Sequence, residues 1–231
     1  MLTSQREIRY LTTEELTRLR RYAEARALQG NESGAVTAVR SWALLDTLLS
    51  SGLRAAEAAT LGISDALLGY GQASLLVRHG KGDKAREVFI PEDLKRHLKT
   101  FITWKRDRGE DVADAALLFT GQRGPLTRNG VWRLVKGLMA AVGLDPRYAT
   151  HSCRHTYATH LYRVSGHDLE IVQEQLGHAS IKTTTIYARV TKEDKLRAAN
   201  GLAKVYQDSH RKSQSGASWP RRPGVSAGIA A

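Results

Sequence analysis

One stretch of the chain predicts paired β-strands, whereas the other periodic segments are helical. Residues 74–78 (SLLVR) and 86–90 (REVFI) are short runs rich in β-prone residues. The segment HGKGDKA between them carries two glycines and an aspartate, which are typical turn residues. We therefore expect a β-hairpin in a fold that is mainly α with one small antiparallel sheet.

The helical segments can be placed by their caps and apolar spacing. Thr12 and Glu15 form a capping-box pattern ahead of a helical apolar stripe, and Gly30 is expected just past the end of that helix. A second helix is predicted over Ala35–Ser50, and Gly52 interrupts it before a restart over 54–61. Pro91 suits the first turn of a helix that runs to about Arg108. Further helical patterns span 127–142, 150–163, 168–176, 180–188 and 191–208.

The composition indicates which kind of partner the protein binds and in which compartment it is found. Lys and Arg total 35 against 23 Asp and Glu, so the net charge is +12. This excess favours a polyanion, with nucleic acid ahead of a membrane surface, although a general basic solubility charge explains it too. The single cysteine, Cys153, excludes an internal disulfide framework and a multi-thiolate zinc site. No segment resembles a signal peptide or a membrane span, so we expect a cytoplasmic protein without a membrane partner.

The composition changes near His210. Residues 210–231 are rich in Ser, Gly, Pro and Arg and have almost no periodicity. We expect a disordered basic tail there and a folded domain over residues 1–209.

Four separated segments carry residues that are able to take part in catalysis. They are SSGLRAAEAATL with Arg54 and Glu57, HGKGDKAR with Lys81, HSCRH with His151, Arg154 and His155, and LGHASIKTTTIYARV with His178 and Tyr187.

Each segment also has a purely structural interpretation. Arg54 and Glu57 have the spacing of an ordinary helix ion pair, worth a few tenths of a kcal/mol. Lys81 has the position of a solvated turn lysine. His151 and Arg154, three residues apart, fit an exposed helix face, and Tyr187 fits a half-buried core tyrosine. Taken singly, none of them identifies a site.

Taken together and in this order, the segments resemble the catalytic domain of tyrosine recombinases, also called phage integrases. The family pattern is an Arg after "GLR", a Lys in a "GKG" hairpin, H-x-x-R-H, then "LGH" and a downstream Tyr. The resemblance runs from about Leu11 to Val205. It implies the tyrosine recombinase catalytic-domain fold over residues 1–209.

The resemblance also implies a phosphate site. Attack on a DNA phosphate develops charge on its non-bridging oxygens, and fixed cationic donors stabilise that charge. Arg54 and Arg154 are expected to clamp these oxygens, since a planar guanidinium makes paired hydrogen bonds and stays charged. His178 is expected to add a third donor.

The remaining roles follow from the same resemblance. Tyr187 is expected to attack phosphorus and form a 3′-phosphotyrosyl link, with His151 exchanging its proton, because a phenol of pKa about 10 is a weak nucleophile. Lys81 is expected to protonate the leaving 5′-oxygen. Glu57 is expected to orient Arg54 or His155, and His155 itself to play a supporting part. No metal, nucleotide or other cofactor is expected.

The resemblance implies double-stranded DNA as the partner. It also implies that a homo-oligomer binds this DNA, since recombinases act as tetramers. A relaxing activity like that of type IB topoisomerases, which act as monomers, uses the same chemistry. A DNA-binding regulator of this fold without the reaction is the alternative of another class. Typical members carry a core-binding domain ahead of the catalytic domain. We expect that domain to be absent here, and a partner to supply it.

Overall fold

The computed structural model describes residues 9–78 and 85–177. Seven helices lie in this part of the chain: α1 (Thr13–Ser33), α2 (Val36–Ser51), α3 (Ala55–Ala59), α4 (Glu92–Asp107), α5 (Arg128–Ala141), α6 (Thr150–Val164) and α7 (Leu169–Leu176). Five short strands accompany them: β1 (Ala66–Leu67), β2 (Ser74–Val77), β3 (Arg86–Phe89), β4 (Thr120–Gly121) and β5 (Gly124–Pro125). The predicted helices at 180–188 and 191–208 and the predicted tail at 210–231 lie outside the described residues.

The predicted hairpin is confirmed, and it belongs to a three-stranded antiparallel sheet in the order β1–β2–β3. Leu75 pairs with Val88 and Val77 with Arg86. Residues two apart on a strand share a face, so Arg86 lies on the same face as the fully buried Val88. The two-residue strands β1, β4 and β5 were not predicted, because they are too short to show an alternation.

The capping box at the start of α1 is confirmed. The Thr12 hydroxyl accepts from the Glu15 amide at 3.2 Å, and the Thr12 amide donates to the Glu15 carboxylate at 2.9 Å. The predicted end at Gly30 is wrong: α1 continues to Ser33, and Gly34 ends it with a φ of +77°. A Cβ at Gly30 would lie 2.7 Å from the Ala38 Cβ. Gly30 therefore allows α1 and α2 to approach closely.

Helix α2 is the centre of the core. It packs against α1, α3, α4, α5 and α6, and Leu44, Leu45 and Leu48 on it are almost fully buried. A smaller apolar cluster of Ala158, Tyr162, Val172 and Leu176 joins α6 to α7. Cys153 belongs to the main core, and burial raises the pKa of its thiol to about 12. This thiol is therefore a packing group that does not ionise at neutral pH.

No described helix is long and apolar enough to cross a membrane. Within residues 9–78 and 85–177, no cluster of His, Cys, Asp and Glu has the size needed to hold a metal ion.

Candidate active site

A cleft of about 650 Å³ lies where the starts of three helices meet. Arg54 precedes α3, and His151 lies in the first turn of α6. The first turns of α5 supply Arg128, Asn129, Trp132 and Arg133 to the same cleft. The structure thus brings together Arg54 and His151, which the sequence had assigned to one site although they are 97 positions apart in the chain.

Arg54 is held by Glu57 at both its backbone and its side chain. The Arg54 amide donates to Oε2 of Glu57 at 2.8 Å, and its Nη1 donates to Oε1 at 2.7 Å. Glu57 is buried, whereas the Arg54 side chain is 28% exposed and lines the cleft. The buried carboxylate therefore holds the arginine from the protein interior. Glu57 thus contacts Arg54, one of its two predicted partners.

Arg86 is a second arginine on the same carboxylate, and the sequence reasoning missed it. Its Nη1 and Nη2 donate to Oε1 and Oε2 of Glu57, each at 2.9 Å. Burial by itself raises the pKa of Glu57, but the bonds and charges of Arg86 and Arg54 outweigh it and lower that pKa to about 2. The alternation in REVF, which puts Arg86 on the face of Val88, was the available signal of a buried arginine.

Arg154 is 5% exposed, and its guanidinium binds backbone from two distant segments. Nη1 donates to the Gly52 carbonyl at 2.7 Å, and Nη2 donates to the Leu176 carbonyl at 2.8 Å. Two of its five N–H groups therefore bind backbone carbonyls of this chain. Arg154 thus joins the loop that leads to Arg54 and the end of α7, next to which His178 follows in sequence.

His151 is exposed at the cleft and lies in a strongly positive field. Partial burial lowers its pKa, and the charges of Arg128, Arg154 and Arg54 lower it further. A neutral imidazole beside a positively charged cleft is suited to accept a proton. His155, on the same helix, has its pKa lowered to about 4, mainly by burial, with smaller effects of His151 and Arg154. It is therefore neutral at neutral pH.

Three of the predicted catalytic residues, Lys81, His178 and Tyr187, lie outside the described residues. Their assignments remain predictions. The described residues flank the Lys81 segment on both sides, with β2 before it and β3 after it, whereas His178 and Tyr187 follow the last described residue, Gly177.

Four residues of α5 that line the cleft were also missed: Arg128, Asn129, Trp132 and Arg133. Trp132 is 45% exposed, although tryptophan usually buries most of its surface. The signal available in TRNGVWRL was an aromatic residue accompanied by two arginines, a combination found on nucleic-acid-binding surfaces.

Comparison with known proteins agrees with this geometry. The model of the phage integrase family matches residues 9–194. The chain is 39% identical over 176 residues to the tyrosine recombinase XerD of Oceanobacillus iheyensis, which covers 74% of this chain and 55% of that protein. The chain thus spans about half the length of the curated relatives it matches.

Solved structures agree as well. The crystal structure of XerA recombinase aligns with a TM-score of 0.68 at 28% identity, over 87% of this chain and 67% of that one. The pre-cleavage complex of the XerH site-specific recombinase with its difH substrate aligns with a TM-score of 0.65 at 30% identity, over 82% of this chain and 53% of that one. The predicted fold class is confirmed, and this chain belongs to the phage integrase family.

Proposed function

We propose that the chain is a site-specific DNA recombinase that cleaves and rejoins DNA through a 3′-phosphotyrosyl intermediate. The observation that carries the proposal is the cleft in which Arg54 and His151 meet, with the Arg154 charge acting on the same histidine. A positive cleft with a neutral proton acceptor is what in-line attack on a phosphodiester requires.

In the cleavage step, the Tyr187 oxygen forms a bond to phosphorus while the bond from phosphorus to the 5′-oxygen breaks. The phenolic proton passes to His151, and the leaving 5′-oxygen takes a proton from Lys81. Arg54, Arg154 and His178 stabilise the charge on the non-bridging oxygens. A 5′-hydroxyl from the same or another strand reverses the step, so the ester is conserved and no cofactor is consumed.

Helix α5 provides the proposed DNA-binding face next to this chemistry. Arg128 and Arg133 offer phosphate contacts, and Asn129 is able to read a base edge in a groove. The XerH structure, solved with its difH substrate, supports duplex DNA as the ligand. Acting on DNA is consistent with the cytoplasmic location expected from the sequence.

A suicide substrate tests the reaction. It is a duplex with a nick near the cleavage position, so that the released 5′-end diffuses away and the covalent intermediate accumulates. The wild-type chain should become covalently attached to DNA, whereas Tyr187→Phe should not, because only the attacking oxygen is removed. DNA affinity of the two proteins should agree within about threefold. A DNA-binding regulator would form no adduct with either protein.

We also propose that the reaction takes place in a tetramer, as strand exchange between two duplexes requires. Sedimentation of the wild-type chain with DNA that carries two recombination sites distinguishes a tetramer from a monomer. A complex of four chains supports recombination. A single chain that relaxes supercoiled DNA instead indicates the activity of type IB topoisomerases.

A further inference from the structure

Arg86 is a largely buried cation for which the proposed reaction has no role. Its side chain is 12% exposed, and it lies on the core-facing side of β3. Burying a guanidinium is unfavourable unless its charge is matched by an anion and its donors are satisfied. The contacts that stabilise a buried arginine therefore indicate what its side chain does in the fold.

The partner of Arg86 is the carboxylate that holds Arg54. Each oxygen of Glu57 accepts one bond from Arg54 and one from Arg86, at 2.7–2.9 Å. Four hydrogen bonds fill the acceptor sites of a carboxylate, so Glu57 has a single orientation. Because Glu57 determines where the Arg54 guanidinium sits, Arg86 determines it indirectly.

Arg86 also touches the end of α7. Gly177 caps that helix with a φ of +62°, and a Cβ there would lie 2.5 Å from Cδ and 2.8 Å from Nε of Arg86. Only a glycine lets the arginine pass this closely. The Nε of Arg86 is buried without a hydrogen-bond partner in the described part of the chain, which indicates that the position is imposed by these two contacts.

We propose that Arg86 is a positioning residue that sets the Arg54 guanidinium through Glu57 and sets the backbone at Gly177, from which His178 follows. The proposal rests on the proposed function. One side chain thereby positions Arg54 and the backbone at Gly177, which directly precedes the predicted phosphate ligand His178 in sequence, and this side chain comes from the strand that follows the Lys81 segment. Errors of about 1 Å in such groups can lower a rate by about 10²-fold.

Three full-length variants test this. Arg86→Met keeps the packing volume of the stem and removes the fork, and Arg86→Lys keeps the charge and removes the paired bonds. Arg78→Met is the matched control: Arg78 follows β2 on the opposite arm of the hairpin and pairs with Asp65 at 2.6 Å, with its side chain 56% exposed. The fraction of folded protein is measured for each variant by circular dichroism.

The readouts are the single-turnover cleavage rate on the suicide substrate, the dissociation constant for the same DNA, and the ¹⁵N signals of the Arg54 guanidinium. We expect Arg86→Met to slow cleavage about 100-fold and Arg86→Lys about 10-fold, with affinity changed less than about threefold. Rotation of the Arg54 guanidinium should become fast in both variants. Arg78→Met should leave all three readouts close to those of the wild type.

Cleavage within about twofold of the wild type in Arg86→Met would overturn the proposal. A loss of rate that merely follows the fraction of folded protein would overturn it too, since that describes a stability effect. If the wild-type chain itself forms no adduct, the proposed function fails, and the Arg54 signals then decide about Arg86. Restricted rotation that Arg86→Met abolishes and Arg78→Met preserves supports positioning even in that case, and restricted rotation in all variants refutes it.

Discussion

The guanidinium of Arg154 donates a hydrogen bond of 2.7 Å to the carbonyl of Gly52, a residue 102 positions earlier in the chain. A second bond of 2.8 Å runs from the same guanidinium to the carbonyl of Leu176. One nearly buried arginine therefore ties together two of the segments in which the sequence predicted catalytic residues. These bonds hold the two segments together, and the charge of the same arginine lowers the pKa of His151.

Arg154→Lys should lose both stability and activity. An ammonium cannot reach both carbonyls with a planar fork, so at least one buried carbonyl loses its partner, at a cost of about 1–3 kcal/mol. Cleavage should slow about 100-fold or more, as after loss of an oxyanion donor. Urea unfolding and single-turnover cleavage measure the two effects. Arg163→Lys, on the exposed side of α6, should change stability by less than about 0.5 kcal/mol. Equal stabilities of the two variants would contradict the structural role.

Gly52→Ala should destabilise the fold more than an ordinary helix-end glycine does. Gly52 has a φ of +65°, and a Cβ there would lie 2.4 Å from Cδ1 of Tyr157. Gly34 has a φ of +77° with no atom within 4 Å of such a Cβ, so Gly34→Ala reports the backbone strain alone. We expect about 1 kcal/mol for Gly34→Ala and about 2–4 kcal/mol for Gly52→Ala, measured by urea unfolding. Similar values would show that Tyr157 moves aside without cost.

Glu57 should make stability depend on pH on the acid side. Its pKa falls from 4.5 to about 2 on folding, so the ionised form stabilises the folded state above pH 4.5, and this contribution is lost as the pH falls towards 2. The shift corresponds to about 3 kcal/mol. The difference in unfolding free energy between wild type and Glu57→Gln should therefore be largest above pH 4.5 and shrink below it. Glu92→Gln, which removes the carboxylate of the exposed Glu92–Lys95 ion pair on α4, is the matched control variant.

Arg128→Met should raise the pKa of His151. Burial lowers this pKa first, and Arg128 is the largest of the neighbouring charges that lower it further. With Arg128 removed, His151 stays protonated to a higher pH, so the acid limb of the cleavage rate should move to higher pH. A proton NMR titration of the His151 Cε1–H measures the pKa directly. Arg123→Met, on the β4–β5 turn, is the matched control and should leave the titration unchanged.

Lys81→Ala tests the predicted general acid, which lies outside the described residues. Cleavage should slow by about 10²–10⁴-fold on ordinary DNA. A substrate with sulfur at the 5′-bridging position has a leaving group that needs little protonation, so on it the variant should recover much of its rate. An equal defect on both substrates would assign Lys81 to phosphate binding.

The local elements of this protein could be predicted from the sequence. The Thr12–Glu15 capping box, the hairpin arms and the helix after Pro91 each depend on residues a few positions apart. Gly30 shows the limit of such reasoning: a glycine at the end of an apolar stripe predicts a helix end, but here it lies against Ala38 of the next helix. The same residue type serves both purposes, and only the neighbouring helix distinguishes them.

The candidate site divides in the same way. That Arg54 and His151 lie in one cleft could be predicted, because their motifs are short segments in a recognisable order, whereas the predicted phosphate contact of Arg154 stays a prediction. The contacts that hold these residues in place could not be predicted. Arg86 binds Glu57, which lies 29 positions earlier in the chain. Arg154 binds the carbonyls of Gly52, far before it in sequence, and Leu176, after it. The physical reason is that a buried charge is stable only with its partners. Those partners are selected by packing of α2, α6, α7 and β3, which no local pattern specifies.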